Sequence, residues 1–344
     1  MRRRTDTLGG MSLRLVLAVL TCLTLVACGG GGESAAPADP VEQVPDTPGL
    51  REAVREAQKP DPTSFPPAKG KTLQQIADLV RSGPQAALAT SILTTGENRF
   101  TFGVIGQDGK PIYGPTAIYI APDPTQPAQG PFVAPADILL TQDRYKSKQA
   151  ATDTDPFAAV YAANVEFEKA GRHAVLVATR NNGTLVGAPT QVDVKTKAAD
   201  KIPDVGEKAP KVETDTLESV KGDKAMLDTR DPASDMHENF AGVVGKKPVA
   251  LLFATPQLCQ SRVCGPVADI ALQMRAKYGD KMEFIHQEVF VDNNQQNGLR
   301  DPLKAFKLPT EPWLFVMDKQ GKITARLEGS FGVDAFETAV KTGL

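Results

Sequence analysis

Apolar residues are arranged differently in the two halves of this chain. Between 87 and about 195, short apolar runs alternate with turn residues. Runs at 100–105, 117–121, 160–167, 173–178 and 190–194 read as strands, with Asp108-Gly109, Lys169-Ala170-Gly171 and Asn182-Gly183 as breaks. Several short strands with such punctuation predict an antiparallel β-sandwich over 85–198. Beyond 199 the pattern changes. Residues 248–253 are continuously apolar, as a buried central strand requires. Residues 267–278 have helical periodicity and end at Gly279. Strands at 284–291 and 313–317 follow, with a short helix at 299–306 between them. Asp318-Lys319-Gln320-Gly321 turns the chain into a fourth strand at 322–327, and 334–341 is a final helix. This β-α-β then β-β-α order predicts an α/β sheet covered by helices over 199–344.

The first residues follow neither pattern. Arg2, Arg3, Arg4 and Arg14 precede an apolar stretch at 15–26 that is short for a membrane span. The stretch ends in Leu25-Val26-Ala27-Cys28, which resembles the bacterial lipobox. The resemblance implies a signal peptide over 1–27, cleavage before Cys28, lipid on Cys28, and an extracytoplasmic location at the cell membrane. Residues 28–84 are rich in Gly, Ala, Pro and acids and read as a tether. Two short helical patches interrupt it, near 50–54 and over 73–80, the second with Thr72 as N-cap, and these either pack on a domain or stay weakly ordered. Between the two domains, 195–212 is charged, contains Pro203 and Pro210, and reads as a linker.

Charge changes the picture little. The chain carries 39 basic and 41 acidic residues, which points to no nucleic-acid partner. The cysteines change it more. Of four, Cys22 falls in the leader and Cys28 under lipid, so Cys259 and Cys264 remain as a pair. An exported chain meets an oxidising environment, so a retained pair five positions apart suggests use or a deliberate bridge. The pair lies between the apolar strand and the helix. A helix N-terminus favours the thiolate, the form that attacks a disulfide. Arg262, between the cysteines, lowers a neighbouring thiol pKa further if it lies close.

Four local matches resemble the thioredoxin-like (redoxin) family. These are Val205-Gly206-Glu207-Lys208-Ala209-Pro210, the cysteines after Phe253, Thr310-Glu311-Pro312-Trp313, and the hairpin Asp318-Lys319-Gln320-Gly321-Lys322. The resemblance implies a thiol–disulfide oxidoreductase with Cys259 and Cys264 as catalytic residues. It implies Pro312 as the family's cis-proline, with Glu311 and Arg262 beside the substrate. The implied partners are exported protein thiols or disulfides and an electron donor, with no cofactor. The chain departs from the family in its four-residue spacing. Cys264-Gly265-Pro266-Val267 reads like Cys-Gly-Pro-Cys and puts Cys264 at the nucleophile position. The other alignment puts Cys259 there. The family's buried acid is also missing, because Leu252 and its neighbours are apolar.

Three other readings compete. Thr255-Pro256-Gln257-Leu258-Cys259 resembles an atypical peroxiredoxin with one extra residue. Copper chaperones of oxidase assembly use two cysteines and a histidine, for which Cys259, Cys264, His237 and His286 are the candidates. A static bridge would leave the sandwich, with an immunoglobulin-like arrangement, as the working part. His173, on a predicted strand, reads as structural rather than as a metal ligand.

Overall fold

A computed structural model describes residues 39–150, 157–259 and 263–344. The leader, Cys28 and Arg262 lie outside these residues. Two short helices, α1 (Leu50–Ala57) and α2 (Leu73–Ala77), come first. Thr72 and Gln75 form a reciprocal capping box on α2, with bonds of 3.2 and 2.9 Å. The stretch is apolar enough to dock. Val41, Val44, Val54 and Ala57 join the sandwich core, and Leu73 and Ile76 cover Tyr119 and Leu176. A few apolar side chains at the right spacing can use a core that others build.

The sandwich consists of β1 (Arg81–Ser82), β2 (Gln85–Leu88), β3 (Gly96–Ile105), β4 (Thr116–Ala121), β5 (Gln129–Val133), β6 (Ala136–Ile138), β7 (Ala159–Phe167), β8 (Gly171–Asn181) and β9 (Thr184–Val194). One sheet runs β1-β9-β8-β4-β5 and the other β2-β3-β7-β6. Pairing is antiparallel except at the two-residue β1, which runs parallel to β9. Asn182 and Gly183, both at positive φ, make the two-residue turn between β8 and β9. Phe100, Phe102, Tyr161 and Phe167 from one sheet meet Ile118, Ile120, Val175 and Val177 from the other. His173 is buried against the edge of Phe167, its Nδ1 3.2 Å from the Gly171 carbonyl.

The C-terminal part contains α3 (Lys224–Leu227), α4 (Phe240–Val243), β10 (Val249–Phe253), α5 (Cys264–Tyr278), β11 (Glu283–Gln287), α6 (Asp301–Phe306), β12 (Trp313–Met317), β13 (Ile323–Glu328) and α7 (Val333–Gly343). The sheet order is β11-β10-β12-β13, with β10 parallel to β11 and antiparallel to β12. Both faces of β10 are covered. Ala250 and Leu252 pack with Val267, Ile270 and Phe336 of α5 and α7. Val249, Leu251 and Phe253 pack with Phe240, Phe306 and Phe315. Burial on both faces is why the run at 248–253 does not alternate. β11 ends at Gln287, four residues short of the predicted strand. Beyond it the Val289 carbonyl accepts from Arg300 N, at 2.9 Å, instead of from a sheet neighbour.

Asp39 to Leu344 form one compact unit, and specific contacts join the sandwich to the C-terminal sheet. Glu328 accepts from Ser91 N and Ile92 N at 3.0 and 3.1 Å. The segment at 142–150 lies on α5. Ser147 donates to Asp269 through its N and Oγ, at 2.9 and 3.1 Å, and Gln142 N donates to Gln273 at 3.0 Å. A Cβ on Gly265 would stand 2.5 Å from the Gln149 carbonyl oxygen. Gly265→Ala is therefore expected to push this segment off α5 and to cost about 1–3 kcal/mol. A denaturant midpoint unchanged from wild type would show that the segment yields freely.

Candidate functional site

The site begins where β10 ends. Phe253 pairs with Trp313 across the sheet, so Ala254 and Thr255 emerge beside Glu311 and Pro312. The Glu311–Pro312 peptide is cis. Cys259 stands in the loop after β10 and is partly exposed. Cys264, the first residue of α5, is fully buried. Both are thiols without a disulfide, and Cys259 lies within hydrogen-bonding reach of Cys264. The structure thus brings both predicted cysteines together with Glu311 and Pro312.

The two thiols differ in environment. Burial pushes the Cys264 thiol up, and Cys259 and the Glu311 carboxyl push it further; the Thr255 backbone N–H works the other way. The helix N-terminus therefore does not make Cys264 acidic, because desolvation outweighs it. Burial also raises the Glu311 carboxyl, and the neighbouring Cys259 adds to this. Iodoacetamide at neutral pH is therefore expected to label Cys259 in the reduced protein and to spare Cys264. Peptide mass mapping checks this, and equal labelling would refute it.

A cleft of ≈ 350 Å³ runs beside these residues. Thr310, Glu311 and Val263 line one side, and Leu88, Ser91 and Phe157 of the sandwich line the other. β2, an edge strand, contributes Ala87 and Leu88 to it.

β10 itself carries no acid, but other segments bring acids beneath its end. Glu288 follows β11 and accepts from Thr229 N and Oγ1 at 2.8 and 2.6 Å; Thr229 Oγ1 in turn accepts from Gln257 N at 3.1 Å. Asp269 pairs with Arg230 at 2.8 Å, both nearly inaccessible, and burial lifts its carboxyl to about 6 despite that partner. Asp228 lies between His237 and His286. Burial opposes charge on both members of the Asp228–His286 pair. Their mutual attraction still holds Asp228 well below the carboxylate range and lifts His286 to about 9. Among the described residues, Asp228, His237 and His286 form a group able to hold a metal ion, and neither cysteine belongs to it. The predicted metal candidates therefore divide into two sites. Asp228, Asp269 and Glu288 had no sequence signal, since each lies in a segment whose spacing points to no site.

No protein-family model matches the chain, and no curated protein matches it. Among solved structures, a thioredoxin-family thiol:disulfide interchange protein of Chlorobium tepidum TLS is similar at 17% identity, over 42% of this chain and 99% of that one, with a TM-score of 0.28. A Chlorobium tepidum protein provisionally named the thiol:disulfide interchange protein DsbE is similar at 17% identity, over 41% and 98%, with a TM-score of 0.29. The Lin-41 filamin domain is similar at 10% identity, over 33% and 97%, with a TM-score of 0.18. Among the described residues no helix is long and apolar enough to cross a membrane.

Proposed function

We propose that this chain is a thiol–disulfide oxidoreductase, held by lipid on Cys28 at the extracytoplasmic face of the cell membrane, that acts on exported proteins. The observation that carries the reading is the asymmetric thiol pair. A partly exposed Cys259 and a fully buried Cys264 sit within bonding reach at a strand-to-helix junction. The Cys259 thiolate attacks one sulfur of a substrate disulfide, that S–S bond breaks, and a substrate thiolate leaves. Cys264 then loses its proton and attacks the Cys259 sulfur. The second substrate thiolate departs, and a Cys259–Cys264 disulfide forms. Two electrons pass from the dithiol to the substrate, and an external dithiol donor restores them. Run in reverse, the same steps oxidise a substrate dithiol.

Glu311, beside both thiols and with a raised carboxyl pKa, is the group placed to take the Cys264 proton. The immunoglobulin-like sandwich supplies one wall of the cleft, which suits an extended substrate segment against β2. The peroxidase reading loses support at Thr255. Its side chain is wholly buried, and its hydroxyl has no access to a peroxide. The test is trapping. Cys264→Ser is expected to hold a substrate on Cys259 as a mixed disulfide, seen as a reductant-sensitive adduct on a non-reducing gel. Absence of any adduct, with no insulin-reductase activity in the wild type, would sink the proposal.

A further inference from the structure

We infer that Asp228, His237 and His286 form a binding site for a divalent transition-metal ion, zinc by its donor set, apart from the thiol pair. The three residues come from separate segments: Asp228 after α3, His237 before α4, and His286 within β11. Their donor atoms all lie within 4.8 Å of one another. His237 Nε2 is 3.3 Å from Asp228 Oδ2, and His286 Nδ1 is 3.4 Å from Asp228 Oδ1. A tetrahedral zinc ion about 2.0–2.1 Å from each nitrogen or oxygen ligand spaces those ligands by about 3.3–3.4 Å. Each histidine nitrogen stands at that spacing from one of the two Asp228 oxygens, His237 from Oδ2 and His286 from Oδ1.

The hydrogen bonds at the far ring atoms decide which nitrogens face inward. His237 Nδ1 is 3.2 Å from the His286 carbonyl, and His286 Nε2 is 3.0 Å from the Ala254 carbonyl. A carbonyl only accepts, so these two nitrogens carry the hydrogens. Once a metal ion displaces the proton that Asp228 otherwise holds on His286, His237 Nε2 and His286 Nδ1 present lone pairs toward the carboxylate. Metal-bound histidines typically anchor the other ring nitrogen to a backbone carbonyl in this way. His286 Nδ1 is buried and has no hydrogen-bond partner; its 3.4 Å approach to Asp228 lacks hydrogen-bond geometry. Arg230 N and Ser234 N, each at 2.8 Å, hold the Asp228 carboxylate in place.

Charge points the same way. Arg230, the cation nearest in sequence, is committed to Asp269 and to the carbonyls of Pro232 and Tyr145. Glu288 Oε2 is also buried and unpartnered, and the Glu288 charge acts on His286. A divalent cation that replaces the His286 proton keeps a positive charge beside both carboxyl groups. The fourth position falls to water or to Ser234 Oγ, which is 3.2 Å from His237 Nε2. The ion would pin the segment at 228–237 beneath the Ala254 carbonyl, where the thiol-bearing loop begins.

The test uses full-length protein stripped by chelator, then titrated with Zn²⁺ by calorimetry and with Co²⁺ by visible absorption. The expected result is one ion per chain, with d–d bands of a tetrahedral site and no sulfur-to-cobalt charge-transfer band. His237→Gln, at the rim of the cluster, is expected to weaken binding at least about 100-fold while circular dichroism stays unchanged. The Cys259→Ser/Cys264→Ser double variant is expected to bind like wild type although it cannot exchange disulfides. That separates this inference from the proposed redox function. Absence of saturable 1:1 binding would overturn it. So would binding that disappears in the double-cysteine variant and persists in His237→Gln.

Discussion

Cys259→Ser is expected to lower disulfide-reductase turnover by at least about 10³-fold. The partly exposed sulfur is the one a substrate disulfide can reach, whereas Cys264 is fully buried. A serine hydroxyl in its place stays protonated and attacks no disulfide. The substitution touches a loop position, so the fold is expected to remain, with a melting temperature close to wild type. The two single variants should behave differently. Cys264→Ser should retain the first step and stall as a mixed disulfide, whereas Cys259→Ser should form no adduct. Stopped-flow reduction of a fluorescent disulfide substrate, together with non-reducing gels, reads both steps. If Cys259→Ser kept substantial turnover while Cys264→Ser lost it without trapping, Cys264 would be the nucleophile and the assignment would reverse.

The second large effect concerns Asp137, far from any thiol in sequence. This buried carboxyl of β6 accepts from Gly332 N at 2.7 Å and Asp334 N at 3.0 Å, and so caps α7, which has no capping side chain of its own. It also pairs with Arg99 at 3.4 Å, and Arg99 donates to the Ser330 carbonyl at 3.0 Å. Burial raises the Asp137 carboxyl, and Arg99 and the two backbone N–H groups work the other way. Removing the carboxyl leaves two helix-terminal N–H groups without an acceptor and a largely buried guanidinium without its counter-charge. Loss of a cap costs about 1 kcal/mol, and breaking a buried pair from one side costs about 3–5 kcal/mol. Because Arg99 keeps the Ser330 carbonyl, the lower part of that range applies, and Asp137→Ala is expected to lose about 3 kcal/mol. At roughly 2–4 °C per kcal/mol, that lowers the melting temperature by about 6–12 °C. Asp137→Asn keeps one acceptor oxygen and should lose less. Thermal unfolding of the two variants, side by side, checks both values. A loss in Asp137→Ala below about 0.5 kcal/mol would mean that α7 does not depend on the sandwich for its cap.

These two predictions differ in how much of each was legible in the sequence. The thiol pair was readable because strand, loop and helix are local patterns: an apolar run, two cysteines, then helical periodicity ending at Gly279. Pro312 and Glu311 were readable from the segment before β12, and both arrive at the thiols because Trp313 pairs with Phe253. Asp137 was unreadable. It lies in a loop-rich stretch, and its partners at 332 and 334 are about two hundred residues away. The docking of 39–80 was only half legible, since its helical patches fit either packing on a domain or weak order. Pro-rich, acidic composition argues against a core, but Val41, Val44, Val54 and Ala57 need only a partner's core to bury themselves.

Five of the nine sandwich strands, the four strands of the C-terminal sheet with α5, α6 and α7, and the thiols at a strand-to-helix junction were determined by the sequence alone. Each depends on contacts within a few residues, where apolar periodicity and turn chemistry are decisive. Only the tertiary structure decided which thiol is buried, that Glu311 rather than an acid in β10 attends them, and that Asp228, His237 and His286 converge. It also decided that the sandwich caps and covers the C-terminal sheet. Those features depend on the low-dielectric interior and on contacts between residues far apart in the chain. No local pattern records how such segments meet.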